Sequence, residues 1–453
     1  MALKIQTSKE DFLKIFEKDE TEVLSQGLVK NTALKRLANF NLPGKTDEEW
    51  RHTSLNRLLQ HHYSQAENRE LTDYIVNSFS IPGLDAYRLV FINGFYAPAF
   101  SDIKSNNKEL IIKPMAVAKV ENKEIFEQYF GQSEIRTSNF FTSLNTVYST
   151  DGSFIYIGDN FVADKPIHIV NLSDGKDRKT VSQYRNLIIG SKFSRAKIIN
   201  SYHSLSVNYT LTNIATEIFL ENSAHINYNI FQGEGVDASQ FNNVKVIQQS
   251  NSNFSSNTTT LCGMLVRNDL NVEQKGSNCE TDLNGLYLPD REQHFDNSVF
   301  VHHEKPHNTS NQLYKGIIDN KASAVFWGKV LVDKNAQKTL ANQSNKNILL
   351  TKYAKINSKP QLEIYADDVA CSHGSTTGQI DKEALFYLQS RGINRRKAET
   401  LLLSAFVKDV IEKIQIDPFK LYIQILVNNR LKGEKVDGQC IMIDECPACD
   451  QKD

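Results

Sequence analysis

The apolar positions of this chain change their period twice. Up to about residue 85 they recur at helical spacing, with Phe12, Leu13, Ile15 and Phe16 followed by Leu34, Leu37 and Phe40. A break at Asn41-Leu42-Pro43-Gly44 separates these from Asp47-Glu48-Glu49-Trp50, which opens a further helical segment. From about Tyr87 to Asp381 short alternating runs replace the helical period, as in Ile226-Asn227-Tyr228-Asn229-Ile230 and Val299-Phe300-Val301. Asn, Ser and Thr crowd this region. Phrases joining a small residue to an apolar one return at loose intervals: Ala196-Lys197-Ile198, Ala224-His225-Ile226, Ala324-Val325-Phe326, Ala354-Lys355-Ile356. A long run of short strands without intervening helices predicts a sandwich, a barrel or a parallel β-helix, and the repeat favours the β-helix.

Past Asp381 helices return. Asn394 is the expected N-cap of a helix carrying Ala398, Leu402, Ala405, Phe406, Val410 and Ile414. Pro418 ends or restarts it, and a second helix with Leu421, Ile425 and Leu426 stops near Gly433. The pattern divides the chain into an N-terminal helical segment (1–85), a strand core (86–381), a C-terminal helical segment (382–433) and a flexible polar tail (434–453). Between residues 395 and 431, Leu401, Leu402, Leu403, Phe406, Val407, Val410 and Ile411 exceed what one core-facing stripe uses, which points to a partner-binding face.

Hydrophobic residues are 40% and charged residues 23% of the 453, as in an ordinary folded protein. The net charge of -1 supplies no global field for nucleic acid or an anionic membrane, and neither is expected as a partner. The N-terminus, with acids and lysines in its first dozen residues, lacks the apolar core of a signal peptide. No apolar run approaches the roughly 18 residues of a membrane span. A cytoplasmic location follows, with the six cysteines reduced and available for thiol or metal chemistry.

Several motifs bear on chemistry. His303-Glu304-Lys305-Pro306-His307 matches the zinc-protease pattern H-E-x-x-H, but Pro306 and the preceding strand-like run deny it a helix, and a surface turn is expected. Cys446-Pro447-Ala448-Cys449, with Cys440, is half of a metal site on the tail. Free thiols and metal capture with a partner both remain open for it. Asp367-Asp368 could be the acid pair of a polysaccharide-cleaving β-helix enzyme, yet neighbours in a strand point to opposite faces, which favours a turn. Cys262 and Cys279 read as small buried hydrophobes. Cys371 and His373 stand just after the alternating run Leu362-Glu363-Ile364-Tyr365, beside Gly374 and Gly378 read as turn residues. A thiol and an imidazole at i and i+2 can share one face of a strand, and both ligate metals. This is half a coordination sphere. A histidine buried there would need a partner of its own. No phosphate-binding loop, nucleophile elbow or flavin motif is found, so the chain reads as a scaffold rather than an enzyme.

The phrases "KGIIDNKASAVFWGKVLV", "AQKTLANQSNKNILL", "SKPQLEIYADDVACSHGSTTGQID" and "FYLQSRGI", together with the N-terminal "TDEEWRHTSL", resemble the SufB/SufD family of the SUF iron–sulfur cluster assembly system. Cys371-Ser372-His373-Gly374 looks like the SufD version. The likeness is dense from His303 to about Phe406 and faint before it. It implies a mainly β fold, a right-handed parallel β-helix core flanked by α-helical segments. It further implies pairing with SufB through the β-helices and docking of the SufC ATPase on the C-terminal helices. His373 would then face a SufB thiol where an iron–sulfur cluster is transiently held, and Cys371 matches a family cysteine of less certain role. Such subunits are non-catalytic. Whether the chain pairs with itself in isolation is left open. The rival readings are a SufB-type scaffold and a cytoplasmic carbohydrate-active β-helix enzyme using Asp367 or Asp368.

Overall fold

The computed structural model describes residues 8–16, 23–105, 107–132, 139–175, 178–205 and 208–434. Cys440, Cys446 and Cys449 lie outside them. The fold is mainly β, 41% strand against 23% helix. From Ser153–Ile157 to Ala370–Gly378 successive strands alternate between two sheets, so each strand pairs with the strand two further along the chain. All these pairings are parallel, and they build a β-solenoid of about seven turns. The coil length can be followed in one column of the second sheet, where Arg195, His225, Asn253, Glu280, Thr309, Leu340 and Ala370 stack in register.

A second column explains the wealth of Asn and Ser. Asn160, Phe193, Ser223, Asn251, Asn278, His307 and Lys338 all have φ between 59° and 62°. Each occupies the same turn of its coil and donates its backbone N–H to the turn above, at Lys192, Asn222, Ser250, Ser277, Pro306, Gln337 and Asp368 respectively. The left-handed conformation tolerates Asn best, and Asn or Ser holds four of these seven places, with Phe193, His307 and Lys338 in the others.

The space between the sheets is filled by stacked Ile, Val, Leu, Phe and Tyr, including Ile198, Tyr228, Phe254, Val272, Phe295 and Phe326. Buried amides form ladders between coils: Asn171 to Asn200 at 2.7 Å, Asn257 to Asn229 at 3.0 Å, Asn268 to Asn297 at 3.1 Å. Such ladders satisfy groups that would otherwise cost free energy to bury.

Helices cover the outer faces. Leu403, Val407, Val410, Phe419, Ile423 and Leu426, from the helices Arg395–Ile411 and Asp417–Leu431, pack on Ile199, Phe231, Leu261, Leu286 and Ile317 of the second sheet. On the first sheet, Trp50 and the helix Phe140–Tyr148 cover Val181, Leu211, Phe241 and Leu265. A neighbouring patch from Met115–Glu121 and Lys123–Tyr129 covers Leu187, Ile189 and Phe219. These last three helices interrupt the stretch read from sequence as strand alone. Cover on both faces leaves Thr180–Gly190 and Thr210–Leu220 buried throughout, while Leu340–Leu349 alternates between buried and open positions. No helix among the described residues is long and apolar enough to cross a membrane.

The two ends differ. The N-terminal end closes with antiparallel strands, Leu110–Pro114 on Ser153–Ile157 and Phe95–Tyr96 on Tyr87–Ile92. The other end stops at Lys355–Ile364 and Ala370–Gly378, the last strands of the two sheets, whose residues are mostly partly or fully exposed. The helices Arg395–Ile411, Asp417–Leu431 and Phe140–Tyr148 lie along the flanks of the solenoid.

Glu234 gives the fold a pH dependence. It is 2% exposed and accepts hydrogen bonds from Ser173 (2.9 Å) and Thr212 (2.7 Å). Burial pushes its carboxyl up from 4.5 to about 7, against the lowering effect of those two bonds. The neutral form is the one the fold accommodates, so its stabilising share is complete below pH 4.5 and is lost as pH rises through 7. Glu234→Gln, neutral at every pH, should match the parent in stability near pH 4.5 and exceed it increasingly towards pH 8, by on the order of 3 kcal/mol. Thermal melts across that range check this, and a constant difference would refute it.

Candidate functional site

The open end carries the residues singled out in the sequence. Ala370–Gly378 pairs with Leu340–Leu349 so that Cys371 stacks on Ala341, His373 on Gln343 and Ser375 on Asn345. Those three supporting residues are 3%, 1% and 0% exposed, which marks the column as the one facing the space between the sheets. Alternation therefore places Cys371, His373 and Ser375 on that inward face and Ser372 on the outer one, where its hydroxyl donates to Asn342 at 3.0 Å. The shared face expected from the i, i+2 spacing is present. Across the mouth, Ser358 of the other sheet lies 2.8 Å from Ser375 and donates to Asn345 at 2.8 Å.

The local surroundings of the two residues differ. Cys371 is half-buried against a cluster of Val330, Val332, Ala336, Ala341 and Ala366. Burial pushes its thiol up, opposed by a backbone hydrogen bond at Ala341, so it is a thiol at neutral pH until a base or metal removes the proton. His373 is exposed rather than buried, because no further coil stacks on its strand. Gly374 is also not a turn residue. It sits inside the strand, paired with Ser344, and a Cβ at Gly374 or Gly378 would meet nothing within 4 Å. The strand thus presents an open edge beside the thiol and imidazole.

Other candidates resolve into structural roles. Asp367 and Asp368 form the turn before the strand; Asp368 pairs with Lys338, and its backbone N–H donates to Gln337 at 2.8 Å. In the His303–His307 motif only part of the surface-turn expectation holds. His307 is in the turn, while His303 ends a strand, is 0% exposed and bonds Ser310 at 2.9 Å. The strand period turns His303 inward, which separates it from His302, bonded to Asp333 at 3.0 Å. Cys262 and Cys279 are buried, as expected, and burial raises the Cys279 thiol. Among the described residues no group of three or more His, Cys, Asp or Glu side chains is placed to hold a metal ion.

Sequence reasoning missed Gln343, Ser358 and Asn345. The signal was a register: "ANQSN" at 341–345 lies one coil below "CSHGS" at 371–375, 30 residues on.

Two family models match this chain. That for the SUF system FeS cluster assembly SufBD core domain matches residues 171–406, and that for the SufBD protein N-terminal region matches residues 7–169. An iron–sulfur cluster assembly SufBD family protein of Synechocystis is 32% identical, over 84% of this chain and 85% of its own length. The iron–sulfur cluster assembly protein SufD of Escherichia coli is 27% identical over 88% and 92%, and that of Bacillus subtilis 22% identical over 93% and 98%. With the core model spanning the solenoid from the end of Ile167–Ser173 to its last coil, this chain belongs to the SufBD family of iron–sulfur cluster assembly proteins.

Proposed function

We propose that this chain is a SufD-type, non-catalytic scaffold subunit that works in the cytoplasm with SufB and SufC. The observation that carries the reading is the unpaired last coil, with Cys371 and His373 together on its inward face. A strand edge of free N–H and C=O groups is a template for another strand, and a second solenoid of the same family offers matching geometry. SufB is the proposed occupant; in its absence a second copy of this chain could use the same edge. The cluster under assembly is the cargo. His373 would donate one ligand to it and SufB the rest, with Cys371 in a supporting role.

The surface for SufC is proposed on the C-terminal helices. Leu403, Val407, Val410 and Ile411 are spent on the solenoid, but Leu401 and Leu421 stay 46% and 58% exposed, with Ile425 at 36%. The helices also shield the second sheet, so point substitutions test this surface better than truncation after Asp381. Leu401→Glu with Leu421→Glu should weaken SufC binding by at least about tenfold while SufB pairing persists. Titration of each partner by calorimetry measures both; unchanged SufC affinity refutes the assignment.

His373→Ala should leave complex formation intact and lower the iron and sulfide acquired by the anaerobically reconstituted complex several-fold. Cys371→Ser should have the milder effect. Normal iron and sulfide in the His373→Ala complex would remove the ligand role. Nothing in the surroundings of Asp367 and Asp368 favours the carbohydrate reading, since the turn and Lys338 account for Asp368.

A further inference from the structure

The oxygen of one buried amide beneath the open end lacks a partner. Gln343 is 1% exposed, and its Nε2 donates to Gln312 Oε1, one coil below, at 2.8 Å. Its Oε1 is buried with no hydrogen-bond partner. Gln312 stacks in turn on Leu283, so the polar ladder starts at Gln312 and climbs towards the mouth. The seat of Gln343 is specific: a Cβ on Gly328, in the facing sheet, would lie 1.8 Å from Nε2 and 2.7 Å from Cδ. Only glycine there admits the amide.

A ladder of stacked amides runs in one direction, each N–H donating to the carbonyl of its neighbour. With its N–H turned down to Gln312, Gln343 leaves its carbonyl for the coil above. The residue in register there is His373. The facing position, in register with Gly328, is Pro360, which has no N–H to offer. The only ring donor that register places over Gln343 is therefore the imidazole of His373. A buried acceptor left unmatched is costly, which is the driving force for turning the ring inward.

We infer that Gln343 is a positioning residue for His373: its carbonyl accepts one ring N–H, which fixes the imidazole as one tautomer and leaves the lone pair of the other nitrogen pointing out of the solenoid mouth. Ligating histidines are commonly oriented in this way by an acceptor on the second nitrogen. The inference deepens the ligand role proposed for His373 and would explain how an exposed side chain on an edge strand keeps a defined direction.

The test reads the ring rather than the cluster. Long-range 1H–15N correlation on the ¹⁵N-labelled full chain, with His373→Ala used to assign the signal, reports the tautomer at one fixed pH. The parent should show a single tautomer at His373. Gln343→Leu should show the mixture of free imidazole, and Gln343→Glu, which keeps an acceptor, should retain the single tautomer. In complex with SufB and SufC, Gln343→Leu should lower acquired iron several-fold and Gln343→Glu should restore most of it. A tautomer mixture in the parent, or the same single tautomer in Gln343→Leu, overturns the inference, and the first of these does not depend on Gln343→Leu folding. The outcome is separable from the ligand role: a locked ring with normal cluster assembly in His373→Ala would retain the ladder and reject the ligand.

Discussion

Everything in this molecule depends on one coil's backbone satisfying the next. Each parallel strand spends its N–H and C=O groups on its two neighbours, and the left-handed turn residues extend the same ladder around the corner. Such a stack has no natural length. It ends only where something replaces the next coil. At the N-terminal end antiparallel strands do so; at the other end the last rung faces outward. The function proposed for this protein grows from that asymmetry, because an unfinished ladder is also a binding surface.

Fixing the coils in register leaves the outer faces to be covered, and the N-terminal segment is held there by buried charge. Arg267 is fully buried, 4.1 Å from the Trp50 ring centroid, 2.7 Å from Asp269 and paired with Asp296, and Thr53 bonds His294 at 2.9 Å. Arg185 likewise pairs with Glu217 at 2.5 Å, while Gly131 donates to that carboxylate and the Phe130 ring lies 5.1 Å from the guanidinium. Burying such ions is costly unless every member is matched, so losing either partner should release the helices as well as the pair. The "DEEWRHT" string is therefore a latch on the first sheet. It stabilises the solenoid's flank, and through the pair of Glu48 with Lys359 it reaches the last strand of the first sheet.

In the function proposed here, the mouth is half a site. A thiol in an apolar niche and an imidazole on an edge strand supply two groups of the kind iron accepts, with the space above them open. The rigidity behind them comes from the stacked coils, and the ladder through Gln312 and Gln343 carries it to the rung where His373 stands.

Much of this was legible in the sequence because period and composition are local properties. Alternation marked the strands, and the i, i+2 spacing placed Cys371 and His373 on one face. The SufBD phrases carried the family. Other features depend on which coil lies above which, and no local pattern encodes that. The helices at 115–148 are buried on a sheet whose second face the sequence could not foresee being covered. His303 turned inward because of strand phase, and His373 stayed exposed because its strand is the last. Gln343 became a neighbour of His373 only through a 30-residue register that side-chain packing and turn geometry set together.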